Sequence, residues 1–308
     1  IMQAKLLQES VQSTFAEGPL RDDENQCLFW IDNVENKIRA YYPQTNQYTF
    51  YQLEKSPMSL AKYSQNELIV IMKDGFYLYD LKKETLKEIF TPMDLNNKIL
   101  LNDAKCDPLG RLWAGTVNDD FRLFKESQDS TQTEFHGQIA KLYRVEKDFS
   151  NIETAKEKVT LSNGLDWDPV RNIMYYIDSA NQSVSQFNYD SKTGQISNEE
   201  TVYTFEESDG LPDGMTIDQQ GMLYIALFKG GVVAKINPFQ KKWIDSITLP
   251  TSTVTSCAFG GENLKTLFMT TALAPLNEYE RHQEPTAGYM FSIDLEVGGY
   301  KTNIFRTT

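Results

Sequence analysis

The sequence predicts an all-β fold: a six-bladed β-propeller in which the N-terminal strand closes the last blade. Three observations carry this. Short apolar strands separated by Gly, Asn and Asp turns run the whole length while helical periodicity is nearly absent. One pattern recurs four times: AEGPLRDDENQCLFWID from Ala16, LNDAKCDPLGRLWAGT from Leu101, SNGLDWDPVRNIMYYID from Ser162 and LPDGMTIDQQGMLYIAL from Leu211. A lone strand-like segment, Lys5 to Ser13, precedes the first full unit and matches the missing strand of an incomplete last one.

Taken in order, unit one places strands after Glu17-Gly18-Pro19, at Cys27 to Asp32, Lys37 to Tyr42 and Gln47 to Leu53. Four short strands in about 50 residues is the size of a propeller blade. Unit two, Ser56 to Phe90, has Met58-Ser59 where its sisters carry an acid or amide, and so is expected to offer no metal ligand. Unit three begins at Leu101 and contains a long polar stretch without periodicity, Asn118 to Gly137, of the kind that is functional or mobile. Unit four runs from Ser162 to Phe205, unit five from Asp213 to Ile247, and unit six from Thr253 to Ile293 with a second polar insertion, Ala274 to Thr286. All 308 residues are read as one domain.

Composition narrows the function. A hydrophobic content of 40% supplies a core and excludes a disordered chain. The net charge of −13 argues against nucleic acid or an anionic membrane as partner, leaving a small-molecule substrate and a monomer or weak homo-oligomer as the expectation. No apolar run is long enough to span a bilayer and no secretory signal is visible at the start, so a cytoplasmic location is expected. Cys27, Cys106 and Cys257 fall inside strands with no CxxC pair and read as reduced buried thiols.

The register of the repeat singles out four residues. Ten positions separate Asp213 from Leu223, Asn163 from Ile173 and Asn102 from Leu112, and fifteen separate both Glu17 from Asp32 and Asn163 from Asp178. Glu17, Asn102, Asn163 and Asp213 therefore hold equivalent places in four units, and a ring of blades brings them together at the axis. Oxygen donors of this kind suit one hard divalent cation, Ca²⁺ first, with Mg²⁺, Mn²⁺ or Zn²⁺ as alternatives. His136 and His282 both lie in the polar insertions, which argues against a histidine-rich zinc site. The competing reading, that Asn and Asp before Gly merely make turns with their own backbone, weakens when four positions match in register. Asp32 and Asp178, at the far ends of second strands, read as structural hydrogen-bond acceptors. Asp103 either reaches the channel or braces the neighbouring strand.

The motifs EGP at Glu17, LNDAKCDPLGRLWAGT, SNGLDWD, YYIDS from Tyr175, PDGMTID from Pro212 and TSCAFGG from Thr255 resemble those of a known family. It is the family of regucalcin, bacterial gluconolactonases and firefly luciferin-regenerating enzyme, and the likeness covers essentially the whole chain. The resemblance implies a divalent-metal-dependent hydrolase of small cyclic esters, typically sugar lactones. It implies Glu17, Asn163 and Asp213 as metal ligands, Asn102 close to metal and substrate, and Asp213 as the group that activates water. Two departures stand out. Many relatives have a substrate-binding arginine where this chain has Leu100, and a substrate-contacting glutamate falls here on Asp119 or Asp120. Losing a guanidinium to an isobutyl group removes polar recognition and adds apolar wall, so this departure from the family predicts a less hydroxylated or more apolar substrate than gluconolactone. A calcium- or ligand-binding propeller without catalysis, luciferin-regenerating activity, and a scaffold using its outer surface are the alternatives.

Overall fold

The structure, a computed structural model, describes residues 1–7, 11–126, 137–146 and 149–306. Its strands form six sheets in sequence order, each built on four antiparallel strands, the blades of the expected propeller. Their innermost strands are Ala16–Asp22, Pro57–Ser64, Ile99–Cys106, Ser162–Asp168, Leu211–Ile217 and Val254–Gly260. Each packs beside the next, and the sixth returns to the first, so the ring is closed.

The closure differs in detail from the single strand read at Lys5 to Ser13. Met2–Gln3 pairs in parallel with Lys242–Thr248 on the outer edge of blade five, and Lys5–Leu6 pairs with Phe291–Asp294 to complete blade six. Residues 11–13 are not strand, and residues 8–10 lie outside the described residues. One short segment thus covers two sheet edges that would otherwise expose unpaired N–H and C=O groups.

The core is divided among the blade interfaces. Six apolar clusters each join two consecutive blades; Ala16, Leu28, Trp30 and Tyr41 of blade one with Phe268 and Met290 of blade six close the ring. The aromatic pairs Tyr41-Tyr42 and Tyr175-Tyr176 contribute to this packing: Tyr175 faces blade five and Tyr176 faces blade three. Cys27, Cys106 and Cys257 are free and buried. Asp32 accepts from the backbone of Thr14, Phe15, Val34 and Glu35, and Asp178 from Thr160, Leu161 and Ala180, the structural role expected of both. A second acidic series ends the inner strands: the carboxylates of Asp22, Asp107, Asp168 and Asp218 accept from backbone N–H groups two to four residues on and tighten each hairpin.

Both polar insertions hold a helix that the sequence reading left irregular. Helix α1, Asp119–Glu126, follows Asn118, whose Oδ1 accepts from Asp120 N (3.1 Å) and caps its first turn. Helix α2, Glu278–Gln283, is started by an Asn277/Glu280 capping box. Beyond blade six, the chain crosses the opposite face of the ring, bridging Asp218 at Gly299 and Lys62 at Ile304.

Candidate metal and substrate site

Every inner strand breaks register with its partner near its start. The irregularities fall between Glu17 and Leu20, Pro57 and Ser59, Leu101 and Ala104, Ser162 and Leu165, Pro212 and Met215, and Val254 and Ser256. Such bulges re-aim a side chain away from the regular alternation. Four of them coincide with Glu17, Asn102, Asn163 and Asp213, and these four side chains line one cavity of about 50 Å³ at the channel mouth. The acid-glycine and amide-glycine pairs belong to this geometry. Gly18 adopts a left-handed φ of 58°, and a Cβ at Gly164 would lie 2.6 Å from the carbonyl oxygen of Asp213. Only a residue without a side chain lets the inner strands of blades four and five approach so closely.

A relay of hydrogen bonds orients the amides. Asn102 Nδ2 donates to Ser162 O (2.7 Å) and to Asn163 Oδ1 (3.2 Å). Asn163 Nδ2 donates to Ser179 Oγ (2.7 Å), which in turn donates to Pro212 O (2.5 Å). Blades three, four and five are tied together at the mouth, and the Asn163 amide is fixed with its oxygen on the side facing Asn102.

The carboxylates are electrostatically frustrated. Burial in the channel pushes the Glu17 carboxyl well above its ordinary range, the neighbouring Asp213 and Asp103 carboxylates push it further, and a hydrogen bond from Gly18 N (3.2 Å) opposes them. The Glu17 and Asp213 carboxyl groups therefore stand close enough to act on each other. Two carboxyl groups in such contact cannot both ionise without a counter-charge, so a divalent cation fits this donor set of two carboxylates and an amide oxygen. Among the described residues no group of three or more His, Cys, Asp or Glu side chains is placed to hold a metal ion, which leaves the mixed acid-and-amide set as the candidate. His282 lies in helix α2, and His136 lies outside the described residues. Asp103 braces blade two: Ser59 Oγ (3.4 Å) and Ala104 N (2.8 Å) donate to it.

Two expected substrate contacts sit elsewhere. Leu100 packs beside Val117, Phe121 and Leu161, under helix α1. Asp120 points outward, 3.8 Å from Lys98. Neither lines the cavity, whose cationic residues are instead Arg122 and Lys125 of helix α1, with Phe15 and Phe228 as apolar wall. The sequence held a signal for this helix: an Asn before two acidic residues, then Phe121, Phe124 and Lys125 at helical spacing.

A larger cavity of about 480 Å³ occupies the other end of the channel, where Lys105 Nζ meets Asp166 Oδ2 (3.1 Å).

A six-bladed propeller with an oxygen-donor pocket at one mouth defines a class of small-ligand propellers. The family profile described as "SMP-30/Gluconolactonase/LRE-like region" matches residues 15–273, and the chain belongs to that family. It is 47% identical over 296 residues to a protein of Bacillus subtilis (strain 168) named "Putative sugar lactone lactonase YvrE", covering 96% of each chain. Regucalcin of Danio rerio is 32% identical over 279 residues, covering 90% of this chain and 89% of that protein. The solved structure of luciferin-regenerating enzyme superposes with a TM-score of 0.87 at 29% identity, covering 98% of this chain and 99% of that one. No helix among the described residues is long and apolar enough to cross a membrane.

Proposed function

We propose that this protein is a lactonase, a hydrolase of small cyclic esters whose site holds one divalent cation through Glu17, Asn163 and Asp213. The observation that carries this reading is the placing of the Glu17 and Asp213 carboxyl groups in one pocket with two amides. The 47% identity to the protein named as a sugar lactone lactonase supports the substrate class.

When bound, the cation supplies polarisation of the lactone carbonyl and stabilisation of the developing oxyanion. The chain's own residues do the rest. Asn102, held by its donation to Ser162 O, lies beside the pocket floor to orient the ring. Asp213 accepts a proton as a water oxygen bonds to the carbonyl carbon, the ring C–O bond breaks, and the proton passes to the departing ring oxygen to leave a hydroxy acid. Phe15 and Phe228, with ring centroids 6.3 Å apart, wall off part of the mouth from water. Calcium is the ion we assign first, because a flexible all-oxygen donor set is its usual site.

The test is hydrolysis of a lactone panel by wild type, by wild type after EDTA, and by Asp213→Ala. Turnover that disappears in the last two while circular dichroism is unchanged supports the reading. Wild type inert toward every lactone with each of the four cations present would overturn it and favour the non-catalytic cation-binding alternative.

A further inference from the structure

We infer that helix α1 makes the site selective for lactones that carry an anionic substituent, a carboxylate or a phosphate, with Arg122 and Lys125 as its recognition residues; this rests on the lactonase reading. The two side chains line the same cavity as Glu17, Asn102, Asn163 and Asp213 but come from a different element. Phe121 anchors the helix in the apolar cluster of Val117 and Leu161, and Lys229 of blade five donates to Lys125 O (3.3 Å). The helix therefore spans from blade three toward blade five across the mouth.

Charge at this rim runs against the rest of the molecule. The chain carries a net −13, yet three cationic side chains gather here, Arg122, Lys125 and Lys229, of which Arg122 is ion-paired with Asp119. Arg122 is braced by Asp119, with Nε 2.8 Å from Oδ1, which fixes the guanidinium plane in the wall of the cavity. Lys125 Nζ lies 5.8 Å from the Phe121 ring and 5.9 Å from that of Phe124, and among the described residues it faces these rings rather than a carboxylate. Asp120 is turned toward Lys98. With a divalent charge balanced by Glu17 and Asp213, the floor is close to neutral and the rim positive, so an entering anion meets cations. A fixed guanidinium plane suits a carboxylate or phosphate better than it suits a hydroxyl. Leu100 has a part too: it packs in the cluster of Val117, Phe121 and Leu161 that seats the helix.

The experiment measures kcat/KM for a neutral sugar lactone, for the same ring bearing a carboxylate and for the ring bearing a phosphate, at low and high salt. Wild type, Arg122→Gln and Lys125→Gln are compared. The expected result is a preference of about tenfold or more for one anionic ring in wild type, shrinking with salt and collapsing toward one in either variant. Whichever anionic ring is preferred separates carboxylate from phosphate recognition. Equal kcat/KM for neutral and charged rings in wild type, or a preference unchanged in both variants, would overturn the inference. Calorimetric binding of a tetrahydropyran carboxylate, a tetrahydropyran phosphate and the neutral tetrahydropyran carboxamide reads the same selectivity without turnover. If no lactone is hydrolysed the lactonase reading fails, while this binding ratio still decides for or against the rim.

Discussion

The carboxyl groups of Glu17 in blade one and Asp213 in blade five line one cavity at the channel mouth, and the Asp213 carboxylate pushes the Glu17 carboxyl up. Their blades are separated by the whole of blade six, so only ring closure brings them together. Removing either charge leaves a single carboxylate beside the Asn163 amide, too little to hold a hard cation. Glu17→Gln and Asp213→Asn are each expected to weaken divalent-cation binding by about tenfold or more, read by calorimetric titration of the cation rather than by turnover.

Gly164 is the point where backbone packing and site geometry meet. A Cβ there would lie 2.6 Å from Asp213 O and 2.9 Å from Met215 N, both backbone atoms with little room to yield. Gly164→Ala is expected to cost about 1–3 kcal/mol of stability and to lower kcat/KM by more than that destabilisation accounts for. Urea denaturation together with kinetics on folded protein checks both parts.

Lys62 and Asp22 form a buried ion pair at 2.6 Å between blades two and one, with side chains 2% and 1% exposed. Truncating the cation strands a buried carboxylate, a loss of about 3–5 kcal/mol. Lys62→Met should therefore fall sharply in denaturant midpoint, and adding Asp22→Asn should recover part of the loss. Additivity of the two substitutions would show that the pair is not coupled.

The three thiols are expected to be silent in the native protein. Burial pushes Cys27 and Cys257 up to about 12, with Asp22 adding to the shift at Cys27, and burial and Asp107 push Cys106 up as well. Only thiolate reacts, and at pH 8 a thiol titrating near 12 is about one part in ten thousand ionised. Native protein at pH 8 should show almost no reaction with a disulfide reagent, the rate should rise about tenfold per pH unit, and unfolding should release three thiols per chain.

The repeat was legible because it is local. Turn chemistry and strand alternation placed the six blades, and the ten- and fifteen-residue spacings grouped Glu17, Asn102, Asn163 and Asp213, which the structure brings to one cavity. What escaped depends on non-local packing or on short signals inside polar sequence. The division of the N-terminal segment between blades five and six follows from two adjacent open edges, which no local pattern encodes. Helix α1 was hidden because eight residues with one apolar anchor, Phe121, look like loop until their seat on Leu161 is known. The seating of Leu100 under that helix, and the arrival of Arg122 at the mouth, follow from the same contact.

The most direct test is calorimetric titration of Ca²⁺ into the cation-stripped wild-type protein and into folded Glu17→Ala and Asp213→Ala. The account expects one ion bound per chain in wild type and binding lost in both variants. Equal affinity in all three proteins would place the cation elsewhere and contradict the site.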